Sequence, residues 1–260
     1  MKKIYFIGDA HFGAEDENSE RIKTERLFSF LDYVESENAD LVILGDLFDF
    51  WFEYKFAVPR RHFDIIARLS GLCQKGMNIH YMAGNHDFWL GSFMEKEIGL
   101  VLHPDDYTIQ NEKYRIYIRH GDGLLKNDYG YRFLKRVLRS PVNIFLYRLL
   151  HPDLGIPLAL FFSGLSREAS RDRSHYTDVD YRGFAADRIA KGADIVILGH
   201  THWAALESHG TGWYVNPGEW MREHTFAIID DAGPRVLRWN GQSPEPVDIV
   251  LPPGNLENKS

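Results

Sequence analysis

Lys3-Ile4-Tyr5-Phe6-Ile7-Gly8 runs directly into Asp9-Ala10-His11, and the same grammar returns four times along the chain. Leu41-Val42-Ile43-Leu44-Gly45 leads into Asp46-Leu47-Phe48-Asp49, and Ile79-His80-Tyr81-Met82-Ala83-Gly84 into Asn85-His86-Asp87. Arg115-Ile116-Tyr117-Ile118-Arg119 precedes His120-Gly121-Asp122, and Ile195-Val196-Ile197-Leu198-Gly199 precedes His200-Thr201-His202. Short, near-continuous apolar runs rich in β-branched residues predict strands buried on both faces. The 115–119 run alternates instead, which predicts one wetter face. Leu27, Phe30, Leu31 and Val34 recur at i, i+3, i+4, i+7, predicting a helix packed on the sheet, and Phe63, Ile66 and Leu69 predict a similar stripe. Strands alternating with helices predict an α/β fold, and Trp213 to Val215, Thr225 to Ile229 and Val236 to Trp239 read as antiparallel strands closing it.

The surrounding composition bounds the partners. A chain of 260 residues that is 44% apolar and 26% charged is ordinary globular protein, which excludes disorder, collagen and disulfide scaffolds. Thirty Lys and Arg against 37 Asp and Glu give a net charge of −7, so no nucleic-acid partner is expected and a phosphate-bearing ligand must be held locally. The single cysteine, Cys73, has no internal disulfide partner and reads as a small buried apolar residue. The few residues before Asp9 are too short for a signal-peptide core, and no apolar run approaches the roughly 18 to 20 residues that span a bilayer, so a cytoplasmic setting is expected.

Residues 126–174 read as a helical insertion between two runs of one sheet. From Tyr131 to Arg173 eight Lys and Arg face three acids, inside an acidic protein. The expected division is a core of 1–125 and 175–243, the 126–174 insertion, and a proline-rich tail over 244–260 lying along the surface or loose. The aromatic residues of the insertion are expected chiefly as helix-packing core, and its basic run chiefly as a solvated face.

Each strand-like run ends in metal-type donors. In an open α/β sheet ligands bind at the carboxyl ends of the strands, so these segments converge there. The i, i+2 pairs Asp9/His11 and His200/His202 point to one side of an extended backbone. Carboxylate, imidazole and carboxamide without thiolate suit Mn, Fe or Zn. Seven donors exceed one tetrahedral ion and suit two ions roughly 3.5 to 4 Å apart, the arrangement that clamps phosphoryl oxygens and activates water at neutral pH. Singly, each Asp or His would pass for a turn or hydrogen-bonded residue. Asp49, Asp87 and Asp122 stay open between orienting a ligand and capping a turn. His62, His80, His103, His151, His175, His209 and His224 have no motif around them.

The ordered set Asp-x-His, Gly-Asp-x-x-Asp, Gly-Asn-His-Asp, His-Gly-Asp and Gly-His-x-His resembles the calcineurin-like metallophosphoesterase superfamily over residues 5–125 and 194–230. The resemblance implies a two-sheet β-sandwich flanked by helices and two divalent metal ions. Asp9, His11 and His202 would hold one ion, Asn85, His120 and His200 the other, and Asp46 would bridge them. His86 would stabilise the phosphoryl oxygen or protonate the leaving group, with Asp87 or Asp49 orienting it.

Within that superfamily, Gly45 to Trp51, His120 to Tyr131 and Ser166 to Arg173 resemble the UDP-2,3-diacylglucosamine hydrolases of lipid A biosynthesis. That likeness implies pyrophosphate cleavage in a nucleotide-linked glycolipid, with Mn²⁺, on the cytoplasmic face of the inner membrane. It implies that Asn85, Asp128, Tyr131, Ser166 and Arg173 hold substrate. The apolar residues of the insertion, from Phe133 to Leu150 and Pro157 to Phe162, would wall an acyl-chain groove, and a basic amphipathic segment suits an anionic membrane surface. The chain departs from the best-known members at His86, where they carry arginine. Another nucleotide-linked lipid or a soluble phosphoester stays open as substrate, with a non-catalytic binding module as the rival from a different class.

Overall fold

The first apolar run becomes the centre of a sheet. In the computed structural model, which describes residues 1–125, 129–171 and 174–249 without the side chains of 162, 163, 165–171 and 174–178, the elements follow in chain order. They are β1 (Ile4–Ile7), α1 (Glu17–Ser36), β2 (Asp40–Ile43), α2 (Phe63–Gln74), β3 (Ile79–Met82), β4 (Val101–His103), β5 (Tyr107–Gln110) and β6 (Arg115–Arg119). Four helices come next: α3 (Tyr129–Leu138), α4 (Pro141–Arg148), α5 (Pro152–Arg171) and α6 (Ser174–Ala190). The chain closes with β7 (Ile195–Leu198), β8 (Ala204–His209), β9 (Gly212–Pro217), β10 (Thr225–Asp230), β11 (Gly233–Trp239) and β12 (Pro244–Pro246).

Two mixed sheets form, ordered β12-β11-β10-β1-β2-β3-β4 and β5-β6-β7-β9-β8. β1 pairs parallel with β2, Ile4 opposite Asp40, and antiparallel with β10, Ile4 opposite Ile229. Their facing sides share one apolar layer, with Phe6, Val42 and Leu44 from one sheet and Ile118, Ile197 and Val215 from the other. α1 and α2 cover the outer face of the first sheet, where Leu27, Phe30, Leu31 and Val34 are all buried as their spacing predicts. Phe30 packs against Tyr5, Trp220, Phe226 and Trp239. Asp16 caps α1 by accepting from the amides of Asn18 and Ser19.

The sandwich flanked by helices is the expected architecture, and its details differ in instructive ways. In α2 the buried stripe is Ile65, Ile66, Leu69 and Leu72, whereas Phe63 at the first position is 68% exposed, since a first-turn residue still points off the helix end. In β6 the face of Arg115, Tyr117 and Arg119 is the wetter one, as expected, with Arg115 exposed, although Tyr181, Ala185 and Ile189 of α6 bury Tyr117 at its centre together with Val196, Leu198 and Tyr214. β9 pairs antiparallel only with β8 and runs parallel to β7. β8 carries Glu207, Ser208 and His209, which hide a strand from any apolar pattern. Pro244–Pro246 is an edge strand on β11, where the missing proline donors are tolerated. Cys73 is half-buried, and burial pushes its thiol above the usual range.

Candidate active site

The carboxyl ends of β1, β2, β3, β6 and β7 bring the donors together. Asp9, His11, Asp46, His200 and His202 all have left-handed backbones, with φ of 51°, 44°, 51°, 70° and 63°. None of the five is glycine, and such residues cost about 1–3 kcal/mol each unless their surroundings hold them. Neither i, i+2 pair is therefore extended as expected; each sits in a tight turn that aims its side chains inward. Interlocked backbones hold the turns: the amides of Ala10 and His11 both donate to Asp46 O at 2.9 Å, and that of Gly199 donates to His120 O at 2.8 Å. Glycine is required at 84, where a Cβ would overlap the Asp46 carboxylate.

Ligand-type atoms gather in overlapping groups, each within 4.8 Å: Asp9 with His11 and His202, His11 with Asp46 and His86, and Asp46 with His120 and His200. His11 Nε2 lies 3.3 Å from His202 Nε2 and 3.8 Å from Asp46 Oδ2, and His202 Nε2 lies 3.6 Å from Asp9 Oδ1. On the other side of Asp46, His120 Nε2 is 3.5 Å from Oδ2 and 3.0 Å from Asn85 Oδ1. The His200/His202 pair thus divides between the two outer groups, with Asp46 between them.

The far ring nitrogens are tied. His120 Nδ1 donates to Leu44 O at 2.7 Å, and His202 Nδ1 meets Glu219 Oε2 at 3.0 Å, which leaves each Nε2 facing the centre. His86 Nδ1 lies 3.1 Å from Asp49 O and 3.5 Å from Asp49 Oδ1, and its amide donates to Asp46 Oδ1 at 2.8 Å. Of the two orienting candidates for His86, Asp49 lies on its ring. Asp87 is fully buried and serves the backbone instead. It accepts from the amides of Asp46 at 3.1 Å, Leu47 at 2.9 Å and Gly84 at 2.9 Å, and from the Tyr81 hydroxyl at 2.5 Å.

Electrostatics match a cation site. Burial pushes the Asp9 carboxyl up, and burial with the Asp46 charge raises Asp87 to about 6. Asp46 resists its own burial, because the imidazoles of His120, His86 and His11 hold it well below the carboxylate range. Burial opposes charge on His120 too, yet Asp46, Asp9 and Asp122 raise it to about 10. His200, buried beside that cation, falls to about 3. A buried carboxylate cluster balanced only by protonated imidazole is what a dication would neutralise instead. Asp9 Oδ1 is also buried without a hydrogen-bond partner among the described residues, an uncommon state that a metal ligand explains.

A model of the calcineurin-like phosphoesterase family matches residues 2–204. The chain belongs to this family. Its activity is that of a metal-dependent phosphoesterase, and divalent ions belong to its chemistry. Proteins named UDP-2,3-diacylglucosamine hydrolase resemble it along most of their length. That of Porphyromonas gingivalis is 29% identical over 246 residues, 88% of this chain and 94% of the relative. That of Photorhabdus laumondii is 31% identical over 198 residues, 76% and 80% of the two chains. That of Pseudomonas fluorescens is 28% identical over 256 residues, 96% and 99%.

Of the residues expected to hold substrate, Asn85 stands in the donor set, and Tyr131 Oη donates to Asp122 Oδ2 at 2.9 Å. Asp128, Arg173 and the Ser166 side chain lie outside the described residues. Sequence reading missed the supporting groups. Lys23 is buried, donating to Ala10 O at 2.9 Å and His11 O at 3.3 Å from inside α1. Its signal was available: Lys23 extends the Leu27, Phe30, Leu31 and Val34 stripe by one turn, a charge where the pattern asks for an apolar residue. Glu219 carries no local signal.

Proposed function

We propose that the protein hydrolyses the pyrophosphate of UDP-2,3-diacylglucosamine, giving UMP and 2,3-diacylglucosamine 1-phosphate. Asp9, His11 and His202 would hold one divalent ion, Asn85, His120 and His200 the second, and Asp46 both, with Mn²⁺ the favoured metal and Fe or Zn also compatible with the donors. When bound, two such ions neutralise phosphoryl oxygens and make water nucleophilic at neutral pH. The chain's own part is to place one phosphorus beside His86. Its ring, steadied by Asp49, donates to the phosphoryl or leaving oxygen, so that the P–O bond breaks as a water oxygen joins phosphorus and the proton goes to the departing phosphate. Asn85, Asp128, Tyr131, Ser166 and Arg173 are assigned to holding the substrate.

The observation that carries the lipid reading is the exposure of α3 to α5 beside this site. Phe133, Val142, Phe145, Leu149, Leu154 and Phe161 are each at least 60% exposed. The aromatic ones among them were expected chiefly as helix-packing core, and a patch of this kind marks a binding surface. Its neighbours Arg132, Arg136 and Arg148 suit an anionic membrane face. No helix among the described residues is long and apolar enough to cross a membrane. We therefore assign 126–174 as a cap that receives acyl chains, and place the protein in the cytoplasm with peripheral contact at the inner membrane.

The test is phosphorus NMR of the full chain with Mn²⁺ and UDP-2,3-diacylglucosamine, beside UDP-glucose and bis(p-nitrophenyl) phosphate. UMP and the acylated sugar phosphate should form far faster than either soluble product. Turnover of the soluble substrates alone would keep the metal chemistry and discard the lipid.

A further inference from the structure

One stripe of α3, continued by the residue just past its end, departs from the rest of that helix. Tyr131, Lys135 and Arg139 recur at i, i+4, i+8 and are partly buried, whereas Arg132, Phe133, Leu134, Arg136, Val137 and Leu138 are exposed. The basic run was expected as a solvated face, and two of its members turn inward instead. All three stripe residues address one atom, Asp122 Oδ2: Tyr131 Oη at 2.9 Å, Lys135 Nζ at 2.6 Å and Arg139 Nη2 at 3.9 Å.

Asp122 follows His120 by two residues, so this cluster borders the metal-donor set on its α3 side. Arg139 reaches further, donating from Nη2 to Gly84 O at 3.1 Å, with its guanidinium 5.1 Å over the Phe88 ring. Gly84 precedes Asn85 and lies against the Asp46 carboxylate. The guanidinium therefore stands one residue from a metal donor.

The charges do not balance. One buried carboxylate faces two cations, and the other acid near Arg139, Asp105 at 3.9 Å, is 77% exposed on its side chain and screened by water. Arg139 Nε is buried with no hydrogen-bond partner among the described residues. An arginine that only docked α3 would have its donors used, since a buried donor left unpaired forfeits its hydrogen bond to water. A surplus positive charge with a spare donor fits a tetrahedral oxyanion, which guanidinium binds through two parallel bonds and ammonium as a point charge.

We propose that Lys135 and Arg139, held beside the Gly84–Asn85 turn by Asp122, form the receptor for the second phosphoryl group of a pyrophosphate substrate. This rests on the pyrophosphate reading above and deepens it. The metal donors take the phosphoryl group under attack, and α3 takes its neighbour, which makes the site selective for two joined phosphates over one. The lone phosphate of a simple diester gains nothing from α3.

Calorimetric titration of the full Mn²⁺-loaded chain with UDP and with UMP tests this without turnover. The wild type should bind UDP at least tenfold more tightly than UMP. Arg139→Gln and Lys135→Gln should each weaken UDP at least tenfold while changing UMP less than twofold, and Arg139→Lys should recover part of the loss. No UDP preference in the wild type, an unchanged preference in both glutamine variants, or equal weakening of both nucleotides overturns the proposal. If Arg139→Gln does not fold, Lys135→Gln decides. A preference that is present and lost as expected, in a protein that leaves UDP-2,3-diacylglucosamine intact, would retain this receptor and remove the lipid substrate.

Discussion

The turns at the strand ends and helices α3 to α5 invert the usual burial rule in opposite senses. At the strand ends, Asp9, His11, Asp46, Asp87 and His120 are all at most 2% exposed, polar groups where a core would be apolar. On α3 to α5, Phe133, Phe145 and Leu149 face solvent at 60% or more, apolar groups where a surface would be polar. The first inversion costs desolvation and backbone strain, and is tolerable because each donor is held by a neighbouring turn. The second leaves area uncovered that a partner could bury, at about 25 cal/mol per Å². On the proposed function, chemistry belongs to the strained and closed region, and recognition of the acyl chains to the open one.

The widest break between them comes from Asp46, which the proposed assignment makes a ligand of both ions. Asp46→Ala should reduce turnover of any phosphoester by more than about 1,000-fold and abolish binding of two Mn²⁺, since it strips each ion of a ligand. Metal analysis of the dialysed variant beside its rates checks this. Full activity with two ions retained would remove Asp46 from the centre.

A residue one step out should show how far the strained region extends. Glu219 holds His202 Nδ1 at 3.0 Å, and Glu219→Gln should weaken Mn²⁺ binding by about 10–100-fold while leaving the fold in place. Competition against a fluorescent chelator reads the affinity. An unchanged value would confine the metal site to the ligands themselves.

How much of this was legible in the sequence follows the same division. Five apolar runs each followed by Asp, Asn or His predict an α/β sheet and seven candidate donors, because strand pattern and ligand chemistry are both local, and the family resemblance adds the sandwich. Their conformation was not legible: the i, i+2 spacing of Asp9/His11 suggests an extended pair, and only the Asp46 carbonyl across the turn explains why both residues are left-handed. Glu219 and Asp122 act through contacts with residues distant in sequence or on another element, which no window of residues contains. The exposed aromatics of α3 to α5 resembled core because amphipathic spacing says that a face is covered without saying by what.

Acid pH reports on a buried histidine outside the candidate donor set. His62, its ring centroid 4.4 Å from that of Phe48, is held by burial and the Arg61 charge at about 3, against an ordinary 6.5. Its folded value is depressed, so the unfolded chain takes up the proton first. The stability contributed is complete above about pH 6.5 and drains as pH falls toward 3. Between pH 7 and 5 this amounts to about 2 kcal/mol, or roughly 4–8 °C in Tm for a chain of this size. Melting the metal-free protein at both pH values should show that His62→Gln loses less than the wild type by this amount. Parallel losses would mean that His62 is already protonated in the fold.

The gentlest test bears on the open region. Replacing Phe133, Phe145 and Leu149 together by serine removes side chains that the fold leaves in water, so stability should change by no more than about 0.5 kcal/mol per site. If these residues receive acyl chains, kcat/KM for UDP-2,3-diacylglucosamine should nonetheless fall about tenfold relative to that for bis(p-nitrophenyl) phosphate, because only the lipid has apolar area to bury there. The two readouts must part company for the comparison to hold. Stability lost together with both activities would make α3 to α5 ordinary packing, and an unchanged ratio would leave their apolar face without a part in the reaction. At the strand ends the opposite pairing is expected, since Asp46→Ala should end turnover of the lipid and of the simple diester alike and leave their ratio without meaning.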